Sequence, residues 1–280
     1  MPPIRNRVST REKANPQLGV KFVLILVGAK KRHFQVHEDL LCARSPYFRS
    51  FLQAGRRDID GDCSICLEDL RTDDKDLTYC MQCKMNFHFG CIAEWVKQYG
   101  QHPLCPLCRG HWIQRNRIIS KFAFPDLNAM DFAKYHEWIY SGTINCNEVI
   151  EQQDFAPLVS AYLFAVKVKD QKFGTAILQA MLEIYKDTAL YPEQDAIALA
   201  YNLDTSAYQI AGIHRIQRFL VETYLAAAHA HWFEDEEWAK YPHEFFRDVT
   251  VAMFLEHPRK NKWALDTWKA KLEAEENDVE

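Results

Sequence analysis

Apolar and polar positions along the chain change rhythm twice. Lys21-Phe-Val-Leu-Ile-Leu-Val27 is a β-branched and aliphatic run closed by Gly28, which predicts a strand. His33-Phe-Gln-Val36 follows the turn Gly28–Arg32 and makes a hairpin with a longer loop. Ser45-Pro46 starts a helix, because Ser caps and Pro fits the first turn; the helix runs over Tyr47–Ala54 and stops at Gly55. From Arg56 the rhythm breaks. Residues 56–62 read as a polar linker, a cysteine-rich block follows to Cys108, and Arg109–Arg117 reads as a second polar stretch. Ile118–Phe124 resumes a strand pattern, and a helix follows over Asn128–Tyr140, stopping near Gly142. The remainder is helical, with segments at 154–168, 170–187, 192–203, 206–230, 243–257 and 261–275. Ile213, Ile216, Leu220 and Tyr224 form one apolar stripe at helical spacing. Residues 1–18, polar and carrying Pro2, Pro3 and Pro16, predict a mobile tail; Glu273–Glu280 predicts a solvated acidic end.

Composition narrows the class. The 280 residues are 48% hydrophobic and 26% charged, as in a globular chain able to bury a sizeable core in one or two domains. A net charge of -4 argues against a general electrostatic nucleic-acid binder. The early apolar run Phe22–Val27 falls far short of the roughly 20 residues a membrane span needs. The first residues carry Arg5, Arg7, Arg11 and Lys13 without an apolar stretch, so a secretory signal is not expected. A reducing compartment, cytoplasm and/or nucleus, is expected instead.

The cysteines change the picture most. Of 9 in the chain, all but Cys42 and Cys146 lie between Cys63 and Cys108. With one histidine they form four pairs: Cys63-x2-Cys66, Cys80-x2-Cys83, His88-x2-Cys91 and Cys105-x2-Cys108. Two intervening residues let a tight turn aim both side chains at one ion, and eight ligands fill two closed tetrahedral zinc sites. With no open position the metal would be structural. Cys42 and Cys146 read as packing residues, His37 as a structural hydrogen-bonding residue, and His102 and His111 as surface residues.

Residues 63–109 resemble a RING finger. The resemblance is carried by the ligand pairs, by Ile65 between the first two cysteines, by Phe87 before the histidine, by Trp95 four residues after Cys91, and by Cys105-Pro-Leu-Cys108-Arg109. It implies interleaved sites: Cys63, Cys66, His88 and Cys91 on one zinc, Cys80, Cys83, Cys105 and Cys108 on the other. It also implies that a ubiquitin-conjugating enzyme docks on a shallow apolar patch of Ile65, Trp95 and Pro106. Arg109 would then bridge that enzyme and its ubiquitin as a non-covalent catalytic linchpin. The ligand order departs from the common pattern, since the fourth ligand is Cys83 and the histidine comes fifth. PHD fingers share that order, which keeps a chromatin-reader alternative open; Pro103, where a PHD finger usually has Trp, and the helix bearing Trp95 favour RING.

The flanks resemble a BTB/POZ domain of the kind abundant in filamentous fungi. The carrying residues are Phe22–Gly28, Phe34–Cys42, Ser45–Phe48, Phe124-Pro-Asp126, Phe132, Trp138–Gly142 and Leu158–Lys169. The expected fold class is α+β: a BTB/POZ α/β core with a C-terminal helical extension and an inserted cross-brace two-zinc finger. The boundaries are a tail at 1–18, a first BTB segment at 19–55, the finger at 56–117, a second BTB segment at 118–188, a helical extension at 189–260 and an acidic C-terminal helix at 261–280. The resemblances together imply a RING-type ubiquitin ligase whose BTB domain dimerises or holds a protein substrate. The alternative from another class is a non-enzymatic interaction adaptor. Cullin binding is expected to be weak or absent, because the finger starts where a cullin would dock and Arg56 and Arg57 occupy the approach. No membrane and no direct nucleic-acid partner are expected.

Overall fold

The computed structural model describes residues 7–9, 21–70, 76–100, 102–113, 119–203, 210–227 and 241–256. Three strands form the main sheet: β2 (Phe22–Val27), β3 (Arg32–His37) and β6 (Ser120–Phe124), in the order β3-β2-β6. β2 and β3 are an antiparallel hairpin, while β6 joins β2 in parallel with Ile25 opposite Phe122. Alternation puts Val23, Ile25, Val27, Phe34, Val36 and Phe124 on the buried face. They pack under α1 (Glu38–Arg44), α2 (Pro46–Leu52) and α4 (Ala129–Ser141), and the core continues through α6 (Ala156–Lys167) and α7 (Gln171–Thr188). α8 (Gln194–Tyr201), α9 (Ile210–Ala227) and α10 (His243–Glu256) extend the helical layer. The stripe read at Ile213, Ile216, Leu220 and Tyr224 is buried.

The predicted caps at Ser45 and Gly142 form, whereas α2 stops at Leu52 with Gln53 as its C-cap, short of the expected Gly55. Ser45 accepts from the Phe48 amide at 3.2 Å and its hydroxyl donates to the Val168 carbonyl at 2.5 Å, so the α2 start is tied to the end of α6. Gly142 ends α4 in the left-handed conformation at φ 67°, with its amide bonded to the Trp138 carbonyl. Asp170 caps α7 and accepts from the Tyr135 hydroxyl at 3.0 Å.

Several expectations need correction. The expected tail contains a strand: β1 (Arg7–Ser9) pairs antiparallel with β7 (Thr143–Asn145). α1 and α5 (Asn147–Gln152) interrupt segments with no predicted helix. The helix expected at 261–275 and the acidic end lie outside the described residues. Among those residues no helix is long and apolar enough to cross a membrane.

Between α2 and β6 the chain leaves this body and returns to it. That excursion has its own small core of Leu70, Phe87, Ile92, Val96 and Trp112, clustered with Cys63, Cys80 and Cys105. Trp112 stacks edge-on against Phe87 at 5.7 Å, and its amide bonds to the Pro103 carbonyl. The stretch after Arg109 is therefore structural, at least to Trp112, and not merely polar. The Trp112-Ile113 pair was its one sequence signal.

Candidate metal centre and its mounting

Three of the four ligand pairs share one backbone device. In each, the first cysteine's carbonyl accepts the amide four residues on: Leu67 to Cys63 at 2.8 Å, Lys84 to Cys80 at 2.9 Å, Arg109 to Cys105 at 3.0 Å. Its amide in turn donates five residues on, to Glu68, Met85 and Gly110. The cost is a left-handed residue after each second cysteine, with φ 61° at Leu67, 65° at Lys84 and 58° at Arg109. Gly110 follows the last one, and the flexible Gln82 side chain lies over it: a Cβ at 110 would fall 1.6 Å from Gln82 Oε1, so that side chain would have to move aside.

The fourth pair is built differently. β4 (Leu77–Tyr79) and β5 (Asn86–His88) form a hairpin around Cys80 and Cys83, and α3 (Phe89–Tyr99) begins directly after His88. His88 thus ends a strand and Cys91 lies in the first turn of the helix. One hairpin-helix unit supplies two ligands to each site, and this interleaves them.

The structure gathers Cys63, Cys66, His88 and Cys91 into one cluster and Cys80, Cys83, Cys105 and Cys108 into another, all ligand atoms within 4.8 Å of one another in each. A tetrahedral zinc with bonds of about 2.3 Å to sulfur has an S···S edge of about 3.8 Å. Cys80–Cys108 and Cys83–Cys105 are both 3.8 Å apart. In the mixed cluster His88 Nδ1 is 3.2 Å from Cys66 Sγ and 3.8 Å from Cys91 Sγ. His88 Nε2 lies 3.1 Å from the Asp69 carbonyl, to which it donates; this fixes the tautomer and leaves the Nδ1 lone pair facing the cluster.

The electrostatics call for a cation. Burial, reinforced by neighbouring thiols, pushes Cys91 and Cys105 up to about 12. Exposed Cys108 is instead lowered to about 7, chiefly by the Gly110 amide. Such a set cannot all ionise unaided, and a dication supplies the compensating charge. Two clusters of four Cys/His ligands, with no place left for water or substrate, fit two structural zinc ions.

The other predicted residues fall around these clusters. Ile65, Trp95 and Pro106 are each half-buried and come from the first knuckle, α3 and the last knuckle. Trp95 stacks on Tyr99 at 4.7 Å and its Nε1 donates to the Leu104 carbonyl at 2.9 Å, which joins the helix to the last loop. Arg109 is exposed. His102 and His111 are exposed, 5.8 Å apart, and belong to neither cluster. Cys42 and Cys146 are buried in the body. His37 bonds Tyr140, with Nδ1 2.8 Å from its hydroxyl.

Arg56 departs furthest from what the sequence predicts. Expected as a linker charge exposed at a cullin-facing approach, its side chain is only 3% exposed. Nη1 donates to Asp39 Oδ1 and Gln53 Oε1, both at 3.1 Å, in the body. Nε donates to Asn86 Oδ1 at 2.7 Å, in the finger hairpin, and the guanidinium lies 4.8 Å above the Tyr79 ring. Arg57 is exposed, as expected.

Comparison with known proteins agrees with the finger. Residues 61–109 match the Ring finger domain family. The chain is 38% identical over 57 residues to the E3 ubiquitin-protein ligase WAV3 of Arabidopsis thaliana, covering 20% of this chain and 8% of that protein. It is 42% identical over 53 residues to the RING-H2 finger protein ATL33 of Arabidopsis thaliana, covering 19% and 21%. The E3 ubiquitin-protein ligase trul-1 of Caenorhabditis elegans is 36% identical over 66 residues, covering 24% and 13%. The chain thus spans about a fifth or less of these relatives. No solved structure matches it. The cysteine-rich block is a RING-type zinc finger.

Proposed function

We propose that the chain is a RING-type ubiquitin ligase acting without a covalent intermediate. The observation that carries this reading is the pair of closed, interleaved four-ligand clusters inside a stretch that matches the Ring finger domain, with relatives named ubiquitin-protein ligases. Cys63, Cys66, His88 and Cys91 hold one zinc; Cys80, Cys83, Cys105 and Cys108 hold the other. The metals carry no reaction step. They fix the two knuckles and α3 so that Ile65, Trp95 and Pro106 form one apolar seat for a ubiquitin-conjugating enzyme. The half-exposure of all three, and the pinning of Trp95 to the Leu104 carbonyl, support that role. Arg109 contributes five donors to the closed arrangement of enzyme and ubiquitin, so that catalysis is by positioning. No reading of the finger as a PHD-type module is favoured by the match.

The body is proposed to be a BTB/POZ domain that dimerises or holds the protein substrate. Its support is that the quoted motifs fall on β2, β3, α1, α2, β6, α4 and α6, with the finger entering between α2 and β6. Cullin binding is expected to be weak, on the finger's position and the exposed Arg57, since Arg56 is not available as a repelling charge.

The test is autoubiquitination with a panel of charged conjugating enzymes, alongside zinc analysis. Activity lost in Trp95→Ala and Arg109→Ala at unchanged zinc content is the expected result. No activity of the full chain with any member of the panel would leave the adaptor reading in its place.

A further inference from the structure

An inserted finger joined by polar segments would be expected to swing on its tethers. Here a continuous, part-buried polar chain crosses the seam. Lys21 pairs with Glu38 at 2.7 Å. Gln53 Nε2 donates to Glu38 at 3.2 Å and to Asp39 at 2.8 Å. Arg56 then bonds Asp39 and Gln53 on one side and Asn86 on the other. Asn86 Nδ2 closes the chain on the Arg57 and Asp58 carbonyls at 3.2 and 3.0 Å. Asn86 stands two residues before the ligand His88, and Tyr79, under the guanidinium, directly precedes the ligand Cys80. One side chain therefore grips the finger beside a ligand of each cluster.

Arg suits this place and Lys does not. A planar fork can meet acceptors on two sides while its face covers a ring, whereas an ammonium is a single point. The arrangement is also hard to dissolve. Pulling the finger away would part the Arg56 guanidinium, only 3% exposed, either from Asn86 and Tyr79 in the finger or from Asp39 and Gln53 in the body, which costs more than breaking a surface ion pair. The Arg49–Asp58 pair beside it, at 3.3 Å and largely exposed, adds little.

We infer that Arg56 bolts the finger to the body at one orientation and is thereby a positioning residue, selecting which lysines of a held protein receive ubiquitin. This rests on the ligase reading. The geometry of the finger sets where the thioester is presented; the bolt sets where that point lies relative to whatever the body holds. A freely swinging finger would sample many lysines at comparable effective concentration; a fixed one favours few.

The experiment compares the full chain with Arg56→Gln and with the gentler Arg56→Lys, which keeps a charge facing Asp39. Three quantities are read: zinc per chain, discharge of charged conjugating enzyme to free lysine, and the lysines modified in autoubiquitination, mapped by mass spectrometry. Amide relaxation of α3 and α7 adds a readout independent of ubiquitin. The wild type is expected to tumble as one body. Arg56→Gln should keep both zincs and free-lysine discharge, give α3 its own faster tumbling, and widen the modified set by about threefold as the positional constraint is lost. Arg56→Lys should fall between. Shared tumbling in Arg56→Gln would overturn the bolt, and so would loss of zinc in both variants, which would make Arg56 a member of the finger's own fold. Separate tumbling with an unchanged lysine pattern would overturn the positioning role. If the wild-type chain discharges nothing, the ligase reading fails and target selection falls with it; tumbling then still distinguishes a failed ligase from a failed bolt.

Discussion

Around Ile25, Phe132 and Phe173 the chain is held by large side chains that water does not reach, whereas in the finger much of the buried material is the ligands themselves. The body's apolar core runs through the sheet and most of its helices, so each contact is one of many. The finger buries a handful of apolar residues, too few to fold a unit of its size without a staple. A body of the first kind degrades by degrees; one of the second kind is lost with a single ligand. The seam between them follows neither rule, being polar, part-buried and directional.

The largest effect should come from metal removal. Structural zinc contributes apparent binding energies of about 10–16 kcal/mol that are also folding energy. A strong chelator, or Cys80→Ser, should collapse the β4–β5 hairpin and α3 while the helices of the body persist. Hydrogen exchange resolves this directly: protection lost over 61–113 but kept over α4, α6 and α7. Simultaneous loss in the body would mean that the two regions are not separate folding units.

Next comes the body's own weak point. Phe132 is fully buried, with ring centroids 4.7 Å from Phe34 and 5.8 Å from Phe48. Phe132→Ala should cost about 3–5 kcal/mol through lost transfer energy and the cavity left behind. A lower urea midpoint with zinc content still at two per chain is the expected pattern. Zinc loss at equal denaturant would show that the body's core supports the finger.

The two regions also differed in how far the sequence exposed them. Ligand pairs with two-residue gaps are a local pattern, and the clusters at Cys63 and Cys80 could be grouped once the interleaving of the RING resemblance was adopted. Strands β2, β3 and β6 and the caps at Ser45 and Gly142 were legible because their signals are also local. β1, β7, α1 and α5 were not: three-residue strands and short helices have no period to detect, and β1 is defined only by a partner far along the chain. The Arg56 bolt was hidden for a different reason. Its partners Asp39, Gln53, Tyr79 and Asn86 lie in segments that carry no common motif, and a buried Arg looks like a linker Arg until the acceptors are placed.

A smaller effect isolates electrostatics in the body. Asp131 lies in the first turn of α4, buried, and accepts from the Ser160 hydroxyl at 2.8 Å. Burial pushes its carboxyl up to about 6, against the Ser160 bond and the Lys134 charge, which both pull it down. The folded state therefore holds a proton that the unfolded chain has already released between about pH 4 and pH 6. Stability contributed by this group is full below that window and declines as pH rises through it. Asp131→Asn removes the ionisation but can still accept from Ser160. It should lie close to the wild type near pH 4 and exceed it by about 2–3 kcal/mol near pH 7. A gain that did not grow with pH would mean that Asp131 is not held above its ordinary range. Zinc content should not respond, which again separates the two regions.

The smallest effect tests whether Arg109 acts through its side chain or its backbone. Its φ of 58° is one that non-glycine residues adopt at a cost of about 1–2 kcal/mol, yet the knuckle requires it, because the Arg109 amide bonds the Cys105 carbonyl at 3.0 Å. Glycine removes that strain but adds unfolded-chain entropy, so Arg109→Gly should be neutral or stabilising by about 0.5 kcal/mol. Arg109→Val, β-branched, should be the least stable of the series and Arg109→Ala close to wild type. Ubiquitin discharge should fall in all three alike, because none retains the five-donor fork. Stability and discharge are then uncorrelated, and that lack of correlation is the signature of a side-chain role. If discharge instead followed stability, with Arg109→Gly as active as the wild type, position 109 would serve the fold of the last zinc knuckle alone.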